Sequence, residues 1–79
     1  MSIEIQSIIQ MVETQLGASS VQESDRIVED LGADSMDIVN IVTDVEERYS
    51  ILIDEAELPN ISTVSDLINL AARHLNSVH

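Results

Sequence analysis

Residues 34–49, DSMDIVNIVTDVEERY, decide the fold of this chain. The apolar side chains of this stretch recur at i, i+3, i+4, i+7 and i+11, the spacing of a single stripe along an α-helix: Ile38, Ile41, Val42, Val45 and Tyr49. Asp34 stands directly before the helix and Asp37 three residues later. Carboxylates at these two places accept hydrogen bonds from the unpaired N–H groups of a first helical turn and favour the positive end of the helix dipole.

The same spacing occurs twice more in the chain. The first set is Ile5, Ile8, Ile9, Val12 and Leu16, and the last is Val64, Leu67, Ile68, Ala71 and Leu75. Ser2 is predicted to cap the first helix and Gly17 to end it, while Thr63 and Asp66 have the capping-box spacing at the start of the last. The three segments differ in all other respects, so the pattern predicts three packed helices and not a tandem repeat.

Two polar connections join the predicted helices. The first runs from Gly17 to Asp34, which is long for a compact domain. Its apolar residues are expected to anchor it to the core: Val21, Ile27, Val28 and Leu31. In the second connection, residues 54–58 are expected to form one short helical turn ended by Pro59. The prediction is an all-α fold, a small four-helix bundle with three main helices, one short helix and a long first loop, in a single domain over residues 1–79.

Composition limits the chemistry that the chain can perform. A chain of 79 residues with 44% hydrophobic residues and one aromatic, Tyr49, has room for one small aliphatic core and no deep enclosed pocket. The absence of cysteine excludes disulfides, thiolate metal sites and cysteine catalysis. No window has the ligand spacing of an EF-hand, so no metal site is predicted. His74 and His79 lie near the C-terminus, and no G-x-S-x-G or H-E-x-x-H motif is present. We therefore do not expect an enzyme.

Charge indicates the kind of partner. Fifteen acidic residues against three arginines give a formal net charge of −12, which disfavours nucleic acids and anionic membranes. Ten of the fifteen acids lie between Glu29 and Glu57, with Arg48 as the one basic residue among them. This favours a protein partner with a cationic docking face and a monomeric chain. No signal peptide and no run of 18 apolar residues is found, so a cytoplasmic location without membrane insertion is expected.

Ser35 is the one residue whose position indicates modification. It falls in the first turn of the central helix, where an anion attached to its Oγ would lie against the positive end of the helix dipole. The residues alone leave an ordinary N-terminal serine as the alternative, since serine is common there.

The segment Leu31-Gly32-Ala33-Asp34-Ser35-Met36 resembles the D-S-L attachment motif of acyl carrier proteins, with Met36 where leucine is usual. The likeness extends over nearly the whole chain. Residues 2–17 resemble the first helix of the family, residues 45–49 its L-E-E-x-F ending of the second, residues 53–57 its short third helix, and residues 61–64 its I-x-T-V start of the fourth.

The resemblance implies a site and a function. Ser35 would carry a 4′-phosphopantetheine arm that a phosphopantetheinyl transferase transfers from coenzyme A, and Asp34 would cap the helix and position the serine. The arm ends in a thiol that holds acyl groups as thioesters, which accounts for the absence of cysteine in the chain. The chain would shuttle these intermediates between enzymes of fatty-acid biosynthesis without catalysing a reaction itself.

The resemblance also implies two further sets of residues. Acyl-transfer, condensing and reducing enzymes with basic patches would dock on Met36, Asp37, Val39, Glu46 and Glu47. The acyl chain would enter an opening between the helices, the acyl gap, lined by Ile41, Val45, Ile53, Ile61 and Leu67.

Besides Met36, two residues of the central helix depart from the usual family pattern. Asn40 stands where glutamate is common, and Arg48 stands where an acid is common, which leaves the identity of the partners open. A dedicated carrier for a polyketide or specialised lipid pathway is one alternative. An unmodified acidic helical interaction module is the other, although such a module would not need the intact Asp34-Ser35 pair.

Overall fold

The computed structural model describes residues 3–76, and within them every regular element is helical. Helix α1 spans Ile5–Leu16, α2 spans Ser35–Tyr49, a 3₁₀ helix spans Glu55–Asn60, and α3 spans Val64–Asn76. The predicted all-α bundle of three main helices, one short helix and a long first loop is confirmed. No helix in the described part of the chain is long and apolar enough to cross a membrane.

The ends of the three main helices follow the sequence signals with one exception. At the start of α1 the N-cap is Glu4, whose side chain makes no capping hydrogen bond, and the predicted cap Ser2 lies outside the described residues. Gly17 ends α1 in the left-handed conformation at φ 64°, as predicted, because glycine meets no Cβ penalty there. Ser50 adopts the same conformation after α2 at φ 54°.

The short helix differs from its prediction. It is a 3₁₀ helix that runs through Pro59 to Asn60, so Pro59 does not end it. The proline ring fixes φ near the value that a 3₁₀ helix needs, and the missing N–H removes only one hydrogen bond. Asp54 caps this helix by accepting a hydrogen bond from the N–H of Ala56 at 2.9 Å.

The apolar stripes meet in one aliphatic core. Residues of α1, α2 and α3 pack with apolar residues from both connections in a single cluster. Ile5 is the member of the predicted stripes that leaves it, with 41% of its surface exposed in the first turn of α1. Tyr49, the sole aromatic, is buried at the end of α2, and its hydroxyl accepts a hydrogen bond from the N–H of Glu4 at 3.2 Å. It therefore ties the end of α2 to the start of α1.

The long first loop is anchored as predicted by three of its four apolar residues. Val21 and Ile27 are buried in the core, and Leu31 packs half-buried against it. The prediction for Val28 was wrong, because 47% of its surface is exposed. Its carbonyl accepts from the N–H of Gly32 at 3.0 Å, so Val28 lies in the turn that closes the loop and its side chain points away from the core.

Candidate functional site

Ser35 is the first residue of α2, and its side chain is exposed. Asp34 stands before it in extended conformation, and its Oδ1 accepts a hydrogen bond from the N–H of Asp37 at 2.9 Å. The Oδ2 of Asp37 accepts in return from the N–H of Asp34 at 3.1 Å. The predicted pair of carboxylates therefore forms a complete capping box, which fixes the backbone of the first turn and with it the position of Ser35.

Gly32 turns the chain toward Ser35. Its φ of 74° lies in the left-handed region, and a Cβ added there would meet no atom within 4 Å. The need for glycine is therefore conformational, because a residue with a Cβ is strained at this φ. The next residue, Ala33, is buried, and its N–H donates to the carbonyl of Ile27 at 3.1 Å.

Backbone hydrogen bonds join the first loop to the start of α3. The N–H of Ile27 donates to the carbonyl of Ser62 at 2.9 Å, and the N–H groups of Val64 and Ser65 donate to the carbonyls of Asp25 at 3.0 Å and Glu23 at 2.8 Å. These two donors belong to the first turn of α3, which has no intrahelical partners for them. The segment that presents Ser35 is thus held by a different helix, an arrangement that no side-chain pattern in the sequence signals.

Two side-chain networks strengthen this frame. The pKa of Asp30 lies below its ordinary value because its carboxylate accepts from the backbone N–H and then the guanidinium of Arg26. The side-chain hydrogen bond to Asp30 and the charges of Asp30 and Glu29 raise the pKa of Arg26. The pKa of Asp66 is lowered mainly by hydrogen bonds from the N–H groups of Thr63 and Ser62, each at 3.0 Å. Since the N–H of Asp66 also donates to Thr63 Oγ1 at 3.1 Å, the predicted capping box of the last helix is present.

Beside Ser35, the outer face of α2 carries exposed apolar surface. Met36 is 63% exposed and Val39 is 40% exposed. Thr43, one turn further along, is exposed, and its Oγ1 donates to the carbonyl of Val39 at 2.9 Å. The exposed apolar surface of α2 therefore begins at Met36, directly after Ser35.

The three acidic residues predicted for docking differ in their surroundings. Glu47 is exposed. Asp37 is half-buried in the capping box and also accepts from Gln15 Nε2 at 3.4 Å. Glu46 is half-buried, and its Oε2 accepts from the N–H of Ile53 at 2.7 Å. Two of the three carboxylates, Asp37 and Glu46, therefore accept hydrogen bonds from their own chain, and both lie on α2.

The five residues predicted to line an acyl gap share one environment. All are buried and belong to the single core cluster: Ile41, Val45, Ile53, Ile61 and Leu67. Ile53 and Ile61 lie on either side of the 3₁₀ helix, which itself contributes no buried residue. The structure thus brings the five together as core.

His74 lies in the last turn of α3 and is half-buried, whereas His79 lies outside the described residues. The Nε2 of His74 is 3.0 and 3.1 Å from the two carboxylate oxygens of Glu57 on the 3₁₀ helix. The side chain is therefore a structural contact between two helices. No group of three or more histidine, aspartate or glutamate side chains within residues 3–76 is arranged to hold a metal ion.

Comparison with known proteins places this geometry in context. Residues 6–71 match the family model described as a phosphopantetheine attachment site. An acyl carrier protein of Thermotoga maritima is 40% identical over 57 residues, which are 72% of this chain and 70% of that protein. An acyl carrier protein of Clostridium acetobutylicum is 33% identical over 66 residues, 81% of this chain and 86% of that one. The fold superposes on the crystal structure of an acyl carrier protein from Thermotoga maritima with a TM-score of 0.82 and 26% identity, covering 95% of this chain and 89% of the other.

Proposed function

This chain belongs to the acyl carrier protein family, and from that membership we propose that Ser35 is the residue that carries its 4′-phosphopantetheine arm. Members of this family are carriers and not catalysts, and phosphopantetheine is their cofactor. When bound, the arm supplies a thiol that holds acyl groups as thioesters. The observation that supports Ser35 is its exposed hydroxyl at the capped start of α2, directly after Asp34.

The residues around Ser35 suit a phosphate ester. A helix N-terminus favours negative charge, and an exposed first turn gives a transferase access to Oγ. Asp34 Oδ1 already accepts a hydrogen bond from the N–H of Asp37, so the role of Asp34 is to hold the first turn and position Ser35. The loop-to-α3 hydrogen bonds keep the approach to this turn fixed.

The test is the intact mass of the chain after incubation with coenzyme A and a broad-specificity phosphopantetheinyl transferase. We expect a gain of one phosphopantetheine on the native chain and on Ser19→Ala, an exposed serine of the first loop, and no gain on Ser35→Ala. No gain on a folded native chain without a prior modification would refute the assignment. It would favour the unmodified acidic interaction module instead.

We further propose that the partners dock on α2. Met36 and Val39 would supply apolar contact, and Glu47 would pair with arginine or lysine of the partner. Asp37 and Glu46 would act through their charge, because each already accepts a hydrogen bond from its own chain. Long-range attraction between opposite charges raises association rates more than affinity, which suits a carrier that must leave each enzyme quickly.

A pair of charge variants tests this surface with the transferase as the probe. Glu47→Gln should lower the rate of modification several-fold at low salt and little at high salt, since screening removes the same attraction. Glu23→Gln makes the same charge change in the exposed first loop and should leave the rate near that of the native chain. Equal rates for the two variants would contradict docking at Glu47.

The acyl gap is proposed on the same basis. The five buried residues already belong to one aliphatic cluster, and a small core with a single aromatic side chain, Tyr49, can separate at modest cost. Loading Ser35 with progressively longer acyl chains should raise the melting temperature stepwise as more chain is buried. A melting temperature that does not change with chain length would refute the gap.

We propose fatty-acid biosynthesis in the cytoplasm as the setting, with acyl-transfer, condensing and reducing enzymes as partners. The names of the relatives support a carrier of acyl groups. The glycine, alanine, aspartate and serine of residues 32–35 favour a fatty-acid or polyketide type over a peptidyl carrier. A dedicated polyketide or specialised lipid pathway is the second candidate, favoured by Asn40 and Arg48 on α2. Turnover by a fatty-acid condensing enzyme, with and without Asn40→Glu, would distinguish the two.

A further inference from the structure

The 3₁₀ helix is held to the rest of the molecule at few points. None of its own residues, Glu55–Asn60, is buried, while the residues just outside it, Ile53 and Ile61, are buried in the core at 7% and 6% exposure. Leu58 packs half-buried against the core. An element with so little buried side-chain surface gains less from packing than its neighbours and opens more readily. Both flanking isoleucines belong to the proposed acyl gap, so any outward movement of this helix would change the width of that gap.

Two polar contacts tether this segment. On the α2 side, Glu46 Oε2 accepts from the N–H of Ile53 at 2.7 Å. On the α3 side, the Glu57 carboxylate contacts the imidazole of His74 at 3.0 and 3.1 Å. Carboxylate oxygens only accept, so the imidazole N–H is the donor. The second contact is made by a side chain of the 3₁₀ helix itself, and the same carboxylate also lies 3.8 Å from Arg73 Nη2.

The contact with His74 is partly shielded from water. The two side chains retain 29% and 25% exposure, whereas Arg73, whose Nη2 lies 3.8 Å from the same carboxylate, is 76% exposed. Long contacts at exposed sites contribute little. The half-buried imidazole therefore carries most of the interaction, and it lies in a groove between the 3₁₀ helix and α3 whose lining includes Ile61.

We propose that Glu57 and His74 form a latch that holds the 3₁₀ helix against α3 and sets how readily the acyl gap opens. Glu57 lies midway between Ile53 and Ile61, so the latch must break before both isoleucines can move outward together. The inference deepens the proposed function, because the role of the opening depends on the arm at Ser35 and on the acyl gap. The two residues are positioning residues and touch no acyl group themselves.

Native-state amide hydrogen exchange on the full chain without an acyl group tests the latch directly. Glu57→Ala should speed exchange at the amides of Leu58, Asn60 and Ile61 about fivefold or more relative to those of α1. Glu55→Ala is the matched control: it removes an exposed acid from the same helix and should leave this ratio near the native value. Equal effects of the two variants, or an equal acceleration in α1, would overturn the proposal.

The double variant separates the latch from what each residue does alone. If Glu57 and His74 act through their mutual contact, then Glu57→Ala combined with His74→Ala should speed exchange by less than the product of the two single effects. If the double variant speeds exchange by the full product of the two single effects, the residues act independently. That result would show that the contact does not hold the helix, and it would overturn the latch.

Acyl loading distinguishes failure of this inference from failure of the proposed function. With the latch removed, opening costs less, so the rise in melting temperature from unloaded to acyl-loaded chain should be larger in Glu57→Ala than in Glu55→Ala. An identical rise would refute a role in gap opening. No modification of Ser35 would refute the proposed function, and no rise in the native chain would refute the acyl gap, while the exchange result would stand in both cases.

Discussion

Replacing Asp34 by alanine removes one half of the capping box at the start of α2. The lost contact is the 2.9 Å hydrogen bond from the N–H of Asp37 to Asp34 Oδ1, while the reverse bond to the Asp37 carboxylate can persist. Loss of an N-cap acceptor costs about 1 kcal/mol of unfolding free energy. In a domain of this size that corresponds to a fall in melting temperature of about 4–8 °C. Asp34→Asn keeps an acceptor of similar capping strength and should stay near the native value.

The same two variants test what Asp34 does for modification of Ser35. If Asp34 acts through the cap alone, fraying worth about 1 kcal/mol lowers kcat/KM of the transferase by about fivefold at most. Asp34→Asn should then be modified at nearly the native rate. The assays are thermal unfolding by circular dichroism and the initial rate of mass gain with coenzyme A.

Two results would refute this reasoning. Equal melting temperatures for the native chain and Asp34→Ala would show that the capping bond does not stabilise α2. A slow Asp34→Asn with a native melting temperature would show that the transferase needs the negative charge of Asp34, so that capping is not its main contribution to the site.

Further predictions concern the frame, the acid stability and the net charge. Ile27→Ala should lower the unfolding free energy in urea by about 2–5 kcal/mol, because it empties a fully buried site. Val28→Ala, one residue along and half exposed, should change it by no more than about 0.5 kcal/mol, and equal losses would contradict anchoring by Ile27. The pKa of Asp66 is lowered in the folded chain by its backbone donors, so the folded state binds this proton less readily than the unfolded state. Its contribution is therefore complete above about pH 4 and is lost as the pH falls through the lower folded pKa. Asp66→Asn should flatten the fall of stability below about pH 4, and an unchanged slope would count against this assignment. With a net charge of −12, added sodium chloride or millimolar Mg²⁺ should raise the melting temperature, and an unchanged or lower value would contradict charge repulsion.

The helices could be predicted because their signals are local. A period of 3.6 residues places Ile38, Ile41 and Val45 on one face whatever the rest of the chain does. Asp34 and Asp37 form their box within one turn, so sequence spacing alone fixes that contact. The position of Ser35 at the start of α2 follows from the same local rules.

The errors have equally definite causes. The expectation that Pro59 would end the short helix used an α-helical rule, whereas a 3₁₀ helix tolerates the ring. Val28 and Ile27 are both apolar and adjacent, and only the turn closed by Gly32 determines which of them faces the core. Glu46 and Glu47 are the same residue type. Glu46 alone accepts from the N–H of Ile53, because the fold brings the second connection back beside its side chain.

The sequence by itself determined the all-α class, the three amphipathic helices, the capping boxes and the place of the candidate attachment serine. Only the tertiary structure decided how the first loop is joined to α3, which acidic side chains of α2 are engaged, and that Glu57 meets His74 across two helices. The physical reason lies in the range of the interactions. Periodicity and capping act within a few residues, whereas the backbone hydrogen bonds of Ile27, Val64 and Ser65 join segments far apart in the chain. Every residue type except proline has the same backbone N–H and C=O groups, so the sequence carries no signal for these bonds.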